Sequence, residues 1–234
     1  MANKIDTVIF DLDGTLVDSQ PAALGATIEA LSLYEVQVTA EDLREVFGGG
    51  ARRLLGHFLE RDFGEGPAGE ILEEVVKLRS NLQLDLTGEV VLLAGVKELL
   101  ASLKQGGFKL AVATMSSRVV VDSVLEYHGI QNHFGATFSV DDVSRIKPDP
   151  EILTKTIETL GTRVDSAIYV GDSSHDLEAA MDLGIPFILV DSGLYVRGEA
   201  REKLRTAARQ NGFSIVGIGD LAKIGDIVRG RRQD

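Results

Sequence analysis

Thr7-Val8-Ile9-Phe10-Asp11-Leu12-Asp13-Gly14-Thr15 is the stretch that decides the fold. Four strand-forming residues run directly into two carboxylates and a glycine. In an open α/β sheet, ligands bind beyond the carboxyl ends of the strands, so polar residues that follow apolar runs are candidates for one shared site.

Downstream of about Leu92 the same texture repeats. Strand-like runs are expected at Phe108 to Ala113, Ala136 to Val140, Ala167 to Val170, Pro186 to Val190 and Ser214 to Val216. Helical patterns fall between them at Val119 to Tyr127, Glu151 to Leu160, around Leu177 to Leu183, and at Glu199 to Gln210. This alternation implies right-handed βαβ units, a Rossmann-like parallel sheet with helices on both faces. Residues 17–90 differ, with helical periodicity at Pro21 to Leu33, Ala40 to Phe47, Ala51 to Phe63 and Glu70 to Leu84 and no convincing strand. The expected organisation is therefore an α/β catalytic core of residues 1–16 and 91–234, with an inserted all-helical cap of residues 17–90.

Bulk properties narrow the function. The 234 residues are 44% hydrophobic and 26% charged, ordinary for a globular chain, and no apolar run is long enough to span a bilayer. There is no cysteine, hence no disulfide, thiolate metal site or cysteine nucleophile. The N-terminus lacks a signal-peptide pattern, so a cytoplasmic address is the default. A formal charge of −12 disfavours nucleic acid as a partner. It also means that a site for phosphate must gather local positive charge from a metal or a few placed cations. The basic tail Arg229-Gly230-Arg231-Arg232 reads as a frayed, solvated end. Monomer and homodimer are equally compatible with this patterning.

Five features sit at or near predicted strand ends: Asp11 and Asp13, Thr114, Lys147, and Asp172 with Asp176 four residues on. Asp11 and Asp13 point to the same side while the chain stays extended. Three neighbouring carboxylates repel, and a divalent cation resolves that; hard oxygen ligands favour magnesium. Asp172 and Asp176 alone would read as helix caps, and Lys147 alone as a solvated loop residue. A calcium-loop reading fails, because Gly14 falls at loop position four rather than six and position twelve would be Ala22.

Taken together and in this order, Asp-x-Asp-Gly-Thr, the threonine Thr114, Lys147 and Gly171-Asp172-x-x-x-Asp176 resemble the haloacid dehalogenase-like hydrolases along essentially the whole chain. The resemblance implies a phosphoaspartate mechanism. Asp11 would be the nucleophile and Asp13 the acid and base. Magnesium would be held by Asp11, the Asp13 main-chain carbonyl and Asp172, with Asp176 ordering the metal's surroundings, and Thr114 and Lys147 would bind the phosphoryl group. The helical insert resembles the C1-type cap of the phosphoglycolate phosphatase and β-phosphoglucomutase branch, closing over the site to exclude water.

Asp13 argues against dehalogenation, which needs no leaving-group proton. Thr15, continued by Leu16-Val17-Asp18-Ser19, resembles the phosphoglycolate phosphatases, whereas mutases typically carry an apolar residue there. The segment Phe47-Gly48-Gly49-Gly50-Ala51-Arg52-Arg53 resembles the same group, with glycine N–H groups at a helix start able to hold an anion. Thr15, Arg52 and Ser116 are the expected substrate contacts. The expected activity is hydrolysis of a small-molecule phosphate ester, with phosphoglycolate the best single candidate. The alternatives are a β-phosphoglucomutase-like sugar phosphomutase, or a phosphatase for sugar phosphates, nucleotides or pyrophosphate.

Overall fold

The structure, a computed structural model, describes residues 4–46 and 50–233. Six parallel strands form one sheet: β1 (Thr7–Phe10), β4 (Lys109–Ala113), β5 (Ala136–Phe138), β6 (Ala167–Gly171), β7 (Phe187–Asp191) and β8 (Ser214–Gly217). They lie in the order β5-β4-β1-β6-β7-β8. The chain thus builds outward from β1 to one side, then returns and builds to the other. The reversal falls beside β1, where crossover connections diverge and leave a crevice at the strand ends.

Both sheet faces are covered, which is why the strands read as apolar runs rather than as alternating patterns. Val8 and Phe10 of β1 pack into one buried cluster with Leu100, Val121, Val170 and Ile224. Ile9, between them, enters the opposite cluster with Ala111, Ile157, Tyr169 and Phe187. The core helices are α5 (Val96–Gln105), α6 (Arg118–Tyr127), α7 (Glu151–Thr159), α8 (Ser174–Leu183), α9 (Gly198–Gln210) and α10 (Ala222–Gln233). The expected frayed end is instead the last turns of α10. Ile224 and Val228 are buried, and Arg229 donates to Ser102 Oγ at 3.0 Å.

Between β1 and β4 the chain forms α1 (Gln20–Ser32), α2 (Ala40–Glu45), α3 (Gly50–Phe63) and α4 (Glu65–Asp85). These helices enclose a cluster of their own around Leu31, Leu43, Leu55, Leu59 and Val75. α4 starts about five residues before the sequence suggests. Pro67 falls in its first turn, where its missing N–H has no helical partner to lose. The insert is not wholly helical at its ends. β2 (Val17–Asp18) pairs antiparallel with β3 (Val91–Leu92), and Leu93 N–H donates to Leu16 C=O at 3.0 Å. Both connections to the insert therefore run side by side, and two-residue strands carry too little periodicity to be read from sequence.

Candidate active site

The carboxyl ends of β1, β4 and β6 meet at one point. Main-chain pairing fixes this, with Thr7 opposite both Lys109 and Ala167, and Phe10 opposite both Val112 and Val170. Asp11 follows Phe10, Thr114 follows Ala113, and Asp172 follows Gly171. All three are buried, as are Lys147 and Asp176.

Lys147 joins the cluster. Its ammonium lies 2.8 Å from Asp11 Oδ1 and 2.7 Å from Asp176 Oδ1. It also lies 2.8 Å from the Tyr169 hydroxyl and 3.3 Å from the Ala113 carbonyl. The Tyr169 hydroxyl is in turn 2.7 Å from Asp176 Oδ1 and 3.1 Å from Ala113 O. Asp176 Oδ2 accepts from the Ser173 main chain at 3.0 Å and from its hydroxyl at 2.6 Å, and Asp176 N–H donates back to Ser173 Oγ. This is a capping box at the start of α8. Asp176 thus caps α8 and, through Lys147, also stands next to Asp11.

Carboxylate oxygens of Asp11, Asp172 and Asp176 lie within 4.8 Å of one another. Asp176 is the least available of the three for a metal, because both of its oxygens already accept two hydrogen bonds each. Asp172 is freer, with one bond from Ser192 Oγ at 3.1 Å. With all three carboxylates ionised, the one ammonium would leave two negative charges in a buried space, which is the charge a divalent cation neutralises. The titration behaviour expresses the same imbalance. Burial pushes the Asp11 carboxyl up to about 7, against the pull of Lys147 and helped by Asp176 and Asp13. Asp172 is raised well above the usual carboxylate range by burial and then by Asp176 and Asp11. Burial would raise Asp176 too, but the charge and hydrogen bond of Lys147 outweigh it and hold it low. For Lys147, burial acts downward and the two aspartates more than reverse it, so the ammonium is retained. The donor set fits a hard divalent metal. Space is reserved for Asp172 as well: a methyl on Gly14, whose φ is +76°, would sit 2.0 Å from Asp172 Oδ2.

Asp13 does not share a strand face with Asp11. The strand ends at Phe10, and the chain turns so that Gly14 N–H reaches Val17 C=O at 2.8 Å and Leu16 N–H reaches Leu12 C=O at 2.9 Å. That turn gives Asp13 its own surroundings, which are all hydroxyls. Ser116 Oγ donates to Asp13 Oδ2 at 2.7 Å and Thr114 Oγ1 lies 3.4 Å from the same oxygen. Ser19 Oγ donates to Oδ1 and is 2.7 Å from the Tyr195 hydroxyl. Ser19 stands at the N-cap of α1 without capping it; Asp18 Oδ1 accepts from Gln20 N–H instead, at 3.0 Å.

The structure thus gathers Asp11, Asp13, Thr114, Ser116, Lys147, Asp172 and Asp176. Thr15 is buried beside them, its hydroxyl without a partner among the described residues. Arg52 does not join them: it is exposed on α3 and paired with Glu73 of α4. Of the expected glycine cradle, Phe47, Gly48 and Gly49 lie outside the described residues. Gly50 stands at the α3 start against Met115 of the core, whose Cε a methyl there would meet at 3.2 Å. Tyr169, Ser19 and Tyr195 are site residues that sequence reasoning missed. Tyr169 reads as a core aromatic and Ser19 as a helix cap, and Tyr195 carries no local signal.

Comparison with known proteins agrees with this geometry. Phosphoglycolate phosphatase from Agrobacterium fabrum is 34% identical over 188 residues, covering 79% of this chain and 80% of that protein. Pyrophosphatase PpaX from Halalkalibacterium halodurans is 29% identical over 197 residues, covering 84% and 87%. In fold, the chain resembles CbbY from Rhodobacter sphaeroides, solved with phosphate, at a TM-score of 0.78 and 24% identity, over 94% of this chain and 96% of that one. It also resembles β-phosphoglucomutase from Clostridium difficile, at a TM-score of 0.79 and 19% identity, over 98% and 97%. Residues 8–190 match the family described as haloacid dehalogenase-like hydrolase, a span that runs from β1 to the end of β7 and contains every aspartate of the cluster. The chain is a phosphatase of the haloacid dehalogenase-like hydrolase family.

Proposed function

We propose that this phosphatase is magnesium-dependent and works through a phosphoaspartate on Asp11, with small phosphate esters as substrates and phosphoglycolate the best single candidate. The observation that carries the reading is the contrast between its two aspartates. Asp11 is held by an ammonium, which can only donate and so favours its charged form, and a bound cation would offset the burial that otherwise raises its carboxyl to about 7. Asp13 is ringed by hydroxyls, which donate to a carboxylate and can turn to accept from a carboxylic acid. One group is built to keep its charge and the other to exchange a proton.

In the first step a carboxylate oxygen of Asp11 attacks phosphorus, the bond from phosphorus to the leaving oxygen breaks, and Asp13 gives that oxygen its proton. In the second, Asp13 takes a proton from water as the water attacks phosphorus, and the bond to Asp11 breaks to release phosphate. Lys147 and Thr114 hold the phosphoryl oxygens through both steps. Asp11, Asp172 and the Asp13 main-chain carbonyl would hold magnesium, which when bound would neutralise charge on the transferring group. The division into a core of residues 1–16 and 91–234 and a cap of residues 17–90 belongs to the same proposal, the cap closing during the first step.

Support for the substrate comes from the relatives. Phosphoglycolate and pyrophosphate, the substrates in their names, both lose a leaving group that is itself an anion. The test is hydrolysis of phosphoglycolate and p-nitrophenyl phosphate by Asp11→Asn, with magnesium and with EDTA. Loss of the nucleophile is expected to reduce kcat by about 10⁴-fold or more, and EDTA to abolish wild-type turnover. Retained magnesium-dependent hydrolysis by the variant would refute the mechanism. A phosphomutase would instead interconvert sugar phosphates when primed with a bisphosphate, releasing little phosphate.

A further inference from the structure

α4 carries a positive charge that the phosphoryl chemistry does not use. Arg79 is only 9% exposed, yet the structure gives its guanidinium a single long hydrogen bond, from Nε to Thr27 Oγ1 of α1 at 3.3 Å. Among the described residues no carboxylate lies within ion-pair distance of it. A guanidinium has five N–H donors, and a buried cation left without a counter-ion is costly unless something else takes up that charge. Gln83, one turn along the same helix face, is 3% exposed and its Oε1 has no donor. Two unmet polar side chains thus stand together on the inner face of the insert.

That face packs against α1, the first helix of the insert. Thr27, the acceptor of Arg79, lies on α1, and Ser19 at the entry of that helix hydrogen-bonds both Asp13 and the Tyr195 hydroxyl; the carboxylate of Asp13 acts on Arg79 across this space. Arg52 and Arg79 therefore differ in kind. Arg52 is solvated and already paired with Glu73, whereas Arg79 is desolvated and unpaired, a state in which a bidentate carboxylate or phosphate contact is strongest.

We propose that Arg79 forms an anion subsite of the cap that receives the far end of the leaving group. The substrates then belong to one class, small phosphate esters or anhydrides whose leaving group carries its own carboxylate or phosphate. The inference rests on the phosphatase reading in so far as Asp13 faces the leaving group.

A matched pair of substrates isolates the charge: phosphoglycolate and 2-hydroxyethyl phosphate differ chiefly in a terminal carboxylate against a neutral hydroxyl. The wild type is expected to prefer phosphoglycolate in kcat/KM by about 10- to 100-fold, the range of a charge-assisted hydrogen-bonded contact. In Arg79→Gln, and in the volume-matched Arg79→Met, that preference should collapse, mainly through KM for phosphoglycolate. A wild type without the preference overturns the subsite, whether or not the variants fold. So does an equal loss on both substrates, which would mean that Arg79 supports Asp13 or cap closure instead. Melting temperature with phosphonoacetate against methylphosphonate gives a second readout that needs no turnover. A larger stabilisation by phosphonoacetate that is lost in Arg79→Gln supports the subsite, and equal stabilisation of the wild type by both overturns it. If the wild type hydrolyses neither ester, the phosphoglycolate candidate fails and the melting comparison alone decides the subsite.

Discussion

Replacing Tyr169 by Phe tests whether the buried lysine is positioned or merely tethered. Lys147 has three protons and four acceptors in reach: Asp176 Oδ1 at 2.7 Å, Asp11 Oδ1 and the Tyr169 hydroxyl at 2.8 Å, and Ala113 O at 3.3 Å. Phe keeps the ring that packs 6.0 Å from Phe187 and lies beneath the ammonium, 5.5 Å from it. Only the oxygen goes. Three acceptors then remain for three protons, and Asp176 keeps Lys147 and Ser173, so no buried donor is orphaned. The hydroxyl takes with it the bond it accepts from Lys147 and the one it donates to Asp176, so the stability cost is about 2–4 kcal/mol.

Activity should respond more strongly. The third contact of Lys147 weakens from a hydroxyl at 2.8 Å to a carbonyl at 3.3 Å, and the ammonium is free to drift toward the two carboxylates. A misplacement of about 1 Å costs up to roughly 100-fold, so a partial drift is expected to lower kcat about tenfold. Tyr169 sits beneath the lysine, buried in the sheet, and so KM should stay within about threefold. Steady-state kinetics on p-nitrophenyl phosphate and urea unfolding of the same preparation measure both quantities. An unchanged kcat would refute the positioning role. A stability loss beyond about 4 kcal/mol would show that the proton count around Lys147 is wrong.

Two further outcomes follow from the same cluster. Gly14→Ala places a methyl 2.0 Å from Asp172 Oδ2 at a φ of +76°, costing about 1–2 kcal/mol in backbone strain. By displacing a metal ligand it should lower kcat/KM about 100-fold; calorimetric magnesium titration checks it, and an unchanged magnesium affinity would refute the displacement. Second, the metal-free protein should lose stability as pH rises from about 4 to 7. Asp11 titrates at about 7 in the folded chain against 3.8 when unperturbed, so the folded state holds the extra proton across that window and its release costs up to about 4 kcal/mol. Asp172, raised by burial, adds in the same direction. Magnesium should therefore stabilise more at pH 8 than at pH 5 in denaturant melts, and an equal gain at both would refute the linkage.

What was legible in the sequence divides along the range of the interactions. The strand-end motifs were readable because a buried parallel strand announces itself as an apolar run, and because the sheet must bring its carboxyl ends together. Asp11, Thr114 and Asp172 needed only that rule. Tyr169 did not yield to it: in Ile168-Tyr169-Val170 it looks like any core aromatic, and its function lies in an oxygen that reaches α8 and the end of β4. Ser19 gives no such signal either: a serine before a helix is ordinarily its cap, and here Asp18 supplies the cap contact so that Ser19 can serve Asp13. Arg79 sits in Val75-Val76-Lys77-Leu78-Arg79, where helical periodicity does not distinguish a solvated arginine from one turned inward. Arg52, beside the glycines, was the more visible choice for that reason, and here it is exposed and paired with Glu73.

The pairing of each aspartate with its surroundings also explains why the site spans two elements of so little regular structure. Had β1 continued through Asp13, both carboxylates would have faced one way, shared one set of partners, and competed for Lys147. The turn over residues 12–17 prevents this, and Gly14 permits it by accepting a φ that other residues rarely adopt. It hands Asp13 to Ser19 at the entrance of the insert and to Ser116 in the core. Asp13, the proposed proton carrier, is therefore bonded at once to both parts of the molecule, whereas Asp11 is bonded only within the core. Movement of the insert would alter the hydrogen bonds of Asp13 while leaving those of Asp11 intact, so closure can govern the proton transfer without disturbing the nucleophile.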